Sequence, residues 1–264
     1  MLSIDLYWLL GNALGVIATA CLTVSNKALL TDRLAGPGKL LLLHRVTAFI
    51  FWRLTFACKG RASGSAPPPI SLGYLCITSL VGNASIVMSF LVLQEASVAF
   101  HQISRLVILP LSACVDLVLY GKRRSALEYV SVLLISYSVF AGARGEVTAT
   151  SSAIFYAGAC AVCTLGSSTL CGHIIKSTGT NAREFLDLIL PYEIGAALAL
   201  VIVFEASSSS AAAAAPSTPA PAPTDSAAAA FSPWYLASLC LNCLLACLVI
   251  FLTTWSQGNT SNML

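Results

Sequence analysis

At 264 residues, 57% hydrophobic and 9% charged, the chain is too apolar for an ordinary soluble domain. The expected fold is all-α: one polytopic membrane helix bundle, residues 1–264. The net charge of +3 says little about partners, because the positions of the charges matter more than their sum; no nucleic-acid partner is expected. Met1–Asp5 has no basic n-region and the first apolar run reaches spanning length, so no cleavable signal peptide is expected.

Eight spanning segments are expected, since about 20 mainly apolar residues cross the hydrocarbon: residues 6–30, 40–58, 70–93, 98–120, 127–143, 152–175, 184–204 and 233–255. In the first, Gly11, Gly15, Thr19 and Thr23 recur every four residues, a ridge of small side chains that lets another helix come close. It ends in Ser25-Asn26-Lys27, where Lys27 can snorkel to the interface or line a cavity. The second is unusually polar, with His44, Arg45 and Arg53. Arg53 lies near one end, whereas Arg45 lies deeper and is a candidate for lining a cavity. The third carries Gly82-Asn83-Ala84-Ser85 at its centre. Asn83 opens a glycosylation sequon there that is out of reach in mid-membrane, so an interhelical hydrogen bond is expected instead.

The fourth segment organises the rest. At about 100° per residue, His101, Arg105, Ser112 and Asp116 fall on one narrow stripe, and the other faces are Leu, Ile, Val and Ala. An arginine near the middle of such a helix costs roughly 2.5–3.5 kcal/mol even on the milder insertion scales. The stripe must therefore face other helices or water, and buried ionisable residues of this kind mark substrate or ion pathways by default. Pro110 withholds an amide from the carbonyl of Leu106, which predicts a kink one turn past the arginine.

The sixth segment has a small-residue ridge at Ala153, Ala157 and Ala161. The seventh holds Pro191-Tyr192-Glu193 near mid-depth, where Glu193 is expected to pair with an arginine rather than carry a proton. Ser207–Ala230 is a low-complexity tract expected to be a disordered loop insertion. Cys160/Cys163 and Cys240/Cys243 have CxxC spacing, but both pairs lie in apolar helices with no His or acidic cluster beside them, so packing is the expected role. The loops after the even-numbered segments carry Lys59, Arg61, Lys122, Arg123, Arg124, Lys176 and Arg183, against Arg33, Lys39 and Arg144 after the odd-numbered ones. This asymmetry expects a cytosolic N-terminus.

Ser97-Val98-Ala99-Phe100-His101-Gln102-Ile103-Ser104-Arg105, with Pro110 following, resembles the S-V-G-F-Y-Q-x-x-K-(x)4-P signature of the nucleotide-sugar and triose-phosphate translocators of the drug/metabolite transporter superfamily. The branch that carries UDP-sugars is the nearest in pattern. Ser25-Asn26-Lys27-Ala28-Leu29 is similar to the N-K-x-L end of that family's first helix, and Asn83-Ala84-Ser85 to its N-x-S in the third. The sequence departs from the pattern in two ways. Arginine stands at 105 where the family has lysine, and the family's ten helices form two inverted five-helix repeats, so this chain reads as shortened after its eighth helix.

The resemblance implies a secondary antiporter that exchanges nucleotide sugars, in particular UDP-sugars, for a nucleoside monophosphate across the Golgi or ER membrane. Such cargo needs fixed positive charge in a wet cavity near mid-membrane. Arg105 would take phosphate oxygens. His101, Gln102, Lys27, Asn26, Asn83 and Ser112 would complete the substrate contacts, and Asp116, Glu193 and Arg45 would gate or pair charge. The expected partners are the anionic phosphorylated substrate, the lipid bilayer and a second copy of the chain. No catalytic residue, cofactor or metal is expected: His44, His101 and His173 lie on different helices without an acidic motif. The alternatives are transport of triose phosphate or phosphoenolpyruvate, and a non-transporting membrane protein that keeps the fold as an interaction partner.

Overall fold

The computed structural model describes residues 2–31, 36–57, 70–121, 125–145, 150–180, 182–214 and 233–261. These residues form nine helices: α1 (Leu2–Thr31), α2 (Pro37–Ala57), α3 (Leu72–Glu95), α4 (Val98–Arg105), α5 (Ile108–Tyr120), α6 (Ala126–Gly145), α7 (Ser151–Thr178), α8 (Ala182–Ala214) and α9 (Pro233–Ser261). Five stretches are long and apolar enough to cross a membrane: Ala13–Thr31, Leu72–Glu95, Val98–Val118, Ser151–Thr178 and Glu184–Val203. Among the described residues, α6 and α9 contribute the further apolar stretches Ala126–Ser138 and Leu236–Val249. Helix α2, which carries Lys39, Arg45 and Arg53, is not one of these five among the described residues.

Helix lies within each of the eight expected segments, but the fourth is two helices. The interruption falls at Leu106–Val107, immediately after Arg105 rather than a turn beyond it. Its cause is the proline. With no amide at Pro110, the carbonyl of Leu106 accepts from Leu109 at 3.1 Å, and the amides of Leu106 and Val107 bond three residues back, to Ile103 and Ser104. The backbone tightens into a single turn of three-residue spacing before the α-helical pattern resumes. Gly121 ends α5 in the left-handed region at φ 61°, its amide on the carbonyl of Asp116.

A second difference lies in the alanine- and serine-rich tract. Helix α8 continues through residues 207–214, where a disordered loop is expected, because alanine is the strongest helix former and lets an existing helix propagate. The remainder of that tract lies outside the described residues, as do Arg33, Lys59, Arg61 and Lys122–Arg124, on which much of the charge asymmetry rests. Lys39, Arg144, Lys176 and Arg183, expected in loops, lie within the ends of helices.

The chain divides into two compact units, one comprising Met1–Cys76 and Ile174–Leu264, the other Ile77–His173. In the first unit α9 packs against α1, α2 and α8, and α2 also packs against α8. Helices α2 and α8 run antiparallel in a constant register. Gly38 lies on Val201, Arg45 meets Glu193, and Trp52 meets Asp187, so numbers rise along one helix as they fall along the other. A Cβ on Gly38 would stand 3.3 Å from the Val201 Cα, so the two backbones approach closely at that end. On α1, Thr19 and Thr23 donate to the carbonyls of Gly15 and Thr19, which satisfies the hydroxyls of the small-residue ridge within its own helix.

In the second unit α3 and α7 are also antiparallel. Ser85 meets Thr164 at 2.6 Å, and a Cβ on Gly82 would come within 3.0 Å of the Ser167 hydroxyl. Val92, Ala96, Phe100 and Ala153 form a buried apolar cluster with Tyr156 and Ala157 packed on it, which places the alanine ridge of α7 against α3 and α4. The helix ends here are closed by side chains. Ser97 caps α4 through the amide of Phe100. Thr150 caps α7 through the amide of Ala153 and donates to Glu95, which Ser152 also contacts. Ser125 and Glu128 form a reciprocal capping box at the start of α6.

Candidate functional site

The second unit holds His101, Gln102, Arg105, Asn83, Ser112 and Asp116. Arg105 is the last residue of α4, where the helix stops because of Pro110, and its side chain is exposed. Among the described residues it makes no hydrogen bond or ion pair. One turn back, His101 is only 3% exposed. Its Nε2 lies 2.6 Å from the Ser89 hydroxyl on α3, while its Nδ1 is buried with no hydrogen-bond partner among the described residues. A neutral imidazole has one donor and one acceptor nitrogen, so one of these capacities is left open beside the arginine-bearing turn.

The polar stripe expected on a continuous helix is therefore split between α4 and α5, and burial changes along it from His101 to Arg105. Gln102 and Asp116 are half-buried, and Asn83 is fully buried in α3. Ser112 donates to the carbonyl of Leu109, so its hydroxyl proton is directed into its own helix instead of toward a ligand.

The first unit holds Lys27, Asn26, Arg45 and Glu193. Lys27 is half-buried near the end of α1. Asn26 is buried in a network that connects three helices. The Asn242 side-chain amide on α9 donates to the Asn26 Oδ1 and the Ser25 hydroxyl, each at 2.9 Å, and the Asn242 Oδ1 is hydrogen-bonded to the His44 Nε2 on α2. With both Asn242 amide hydrogens engaged, its oxygen can only accept, so His44 must carry a proton on Nε2. Arg45 is turned toward α8, where its Nη1 lies 2.8 Å from the Glu193 Oε2. Seven residues along α2, the Trp52 indole donates to Asp187 at 2.7 Å.

Asn242, Ser89, Trp52 and Asp187 are absent from the residues expected from sequence. Asn242 had a signal: it is the one strongly polar side chain in Leu236–Val249, and an amide in such a run needs a partner. Asp187 had the same kind of signal, as an acid within the apolar stretch Glu184–Val203, whereas Ser89 had none, since a serine can be satisfied within its own helix.

Among the described residues the architecture is all-helical, with five helical stretches of membrane-crossing length, and fits a multi-pass membrane protein. Several of its buried polar side chains are joined across helices, at Asn242, Ser85 and His101. Comparison of the chain with protein-family models and with curated protein sequences finds no match in either.

Proposed function

We propose that the chain is a secondary transporter of phosphorylated anions, an antiporter that exchanges a nucleotide sugar, of the UDP-sugar class, for a nucleoside monophosphate across the Golgi or ER membrane. The reading includes an inverted-repeat helix bundle and a cytosolic N-terminus. One observation carries it: Arg105, on a stretch of membrane-crossing length, has no counter-ion among the described residues, whereas Arg45 is paired with Glu193. A guanidinium in that setting calls for an anion or water, and its planar fork suits phosphate oxygens. On this reading His101 and Gln102, on the same short helix, add hydrogen bonds to phosphate or sugar. No step is chemical; binding must be weak enough to release the cargo on the other side.

The test is uptake of nucleotide sugars into proteoliposomes that contain the full-length protein preloaded with nucleoside monophosphate. Arg105→Ala abolishes exchange on this reading, and undiminished uptake by that variant rejects the assignment. A second reading, a non-transporting membrane protein that acts as an interaction partner, draws on the internal bonding of Asn26, Ser112 and Arg45. It expects no nucleotide or nucleotide sugar to raise the melting temperature, since only a ligand of the folded state does so.

A further inference from the structure

Along the α2–α8 contact two carboxylates of α8 are held differently, Glu193 by the Arg45 cation and Asp187 by the Trp52 indole. Arg45 and Glu193 are 13% and 14% exposed, so the pair is largely shielded from bulk water without being sealed. Asp187 is held by the Trp52 indole on the far side of Pro191. That proline withholds an amide from the carbonyl of Asp187, which loosens α8 between Asp187 and Glu193. Gly195 follows Glu193 by two residues, and a Cβ there would meet nothing within 4 Å. The turn that carries Glu193 is thus bracketed by a helix-weakening proline and an open glycine, while Trp52–Asp187 keeps the preceding turn attached to α2.

We propose that Arg45 is a second anion-binding position, one that Glu193 occupies in this structure and that a phosphate or phosphomonoester replaces. Carboxylate and phosphate present the same pair of acceptor oxygens to a guanidinium, so the exchange keeps Arg45 neutralised throughout. Bending at Pro191 withdraws Glu193 and leaves Asp187 in place. The inference deepens the transporter reading, on which it rests for the identity of the anion as cargo, but the site lies within the first unit and is tested without Arg105.

The experiment is thermal unfolding of the purified full-length protein in nanodiscs, titrated with inorganic phosphate or uridine monophosphate. Glu193→Gln melts lower than wild type in anion-free buffer, because an uncharged amide no longer neutralises the shielded guanidinium. Phosphate then raises the melting temperature of E193Q more than that of wild type. It also binds E193Q about tenfold more tightly, the effect of removing a competing group worth about 1.4 kcal/mol. Arg45→Gln removes this increment, and Arg105→Gln combined with E193Q retains it. A deficit in E193Q that neither anion restores overturns the proposal and makes the pair a closed structural contact. Should E193Q fail to fold, the uncharged double variant R45Q/E193Q decides: it must bind phosphate more weakly than wild type, and equal binding overturns the site. Arg105-dependent uptake without rescue of E193Q rejects the Arg45 site alone. Rescue of E193Q together with Arg105-independent uptake rejects the assigned role of Arg105 alone.

Discussion

Replacing Asn242 by leucine removes the hub of the α1–α2–α9 network while nearly conserving volume. Three hydrogen bonds disappear, to Ser25, Asn26 and His44, and the donor on His44 Nε2 loses its acceptor in a setting where Asn242 is 0% exposed. Interhelical hydrogen bonds in membrane proteins average about 0.6 kcal/mol, so the three together are worth about 2 kcal/mol. A buried donor left without an acceptor adds about 1–3 kcal/mol. The expected loss is therefore about 3–5 kcal/mol, measured by reversible denaturant unfolding in mixed micelles. His44→Phe on the Asn242→Leu background should cost far less than it does alone, because the donor it removes has already lost its acceptor. A loss below about 1 kcal/mol, or additive effects of the two changes, would refute the reasoning by showing that water or another partner replaces the network without penalty.

Three further changes probe the second unit. Ser89→Ala leaves the His101 ring without its hydroxyl partner and should lower stability by about 1–3 kcal/mol in the same unfolding assay. Gly82→Val places branched carbon against Ser167 and should cost about 1–3 kcal/mol by pushing α3 from α7, whereas Gly82→Ala, which only has to move a hydroxyl, should be far milder. Ser125→Ala breaks the capping box of α6 and should cost about 1 kcal/mol, with faster amide exchange confined to the first turn of that helix.

Helical segments were legible because length and hydropathy set them locally. The alanine ridge of α7 was legible for the same reason, since a four-residue period places small side chains on one face whatever packs there. The site was legible only in part. Arg105 and His101 stand out as polar residues in an apolar run, and Glu193 stands out as an acid that needs a base. Which base it meets depends on the α2–α8 register, set jointly by Gly38, Arg45 and Trp52 against residues far along the chain. No local pattern encodes that pairing. The break after Arg105 shows a finer limit: Pro110 marks where a donor is missing, but the turn forms upstream, where the freed carbonyl finds a new amide.

Helix α2 also bears on how the protein is made. Its His44, Arg45 and Trp52 are each matched by groups on α8 or α9, which the ribosome delivers only after most of the intervening chain. Those contacts cannot form until the late-synthesised neighbours arrive, so α2 goes without them through most of the chain's synthesis.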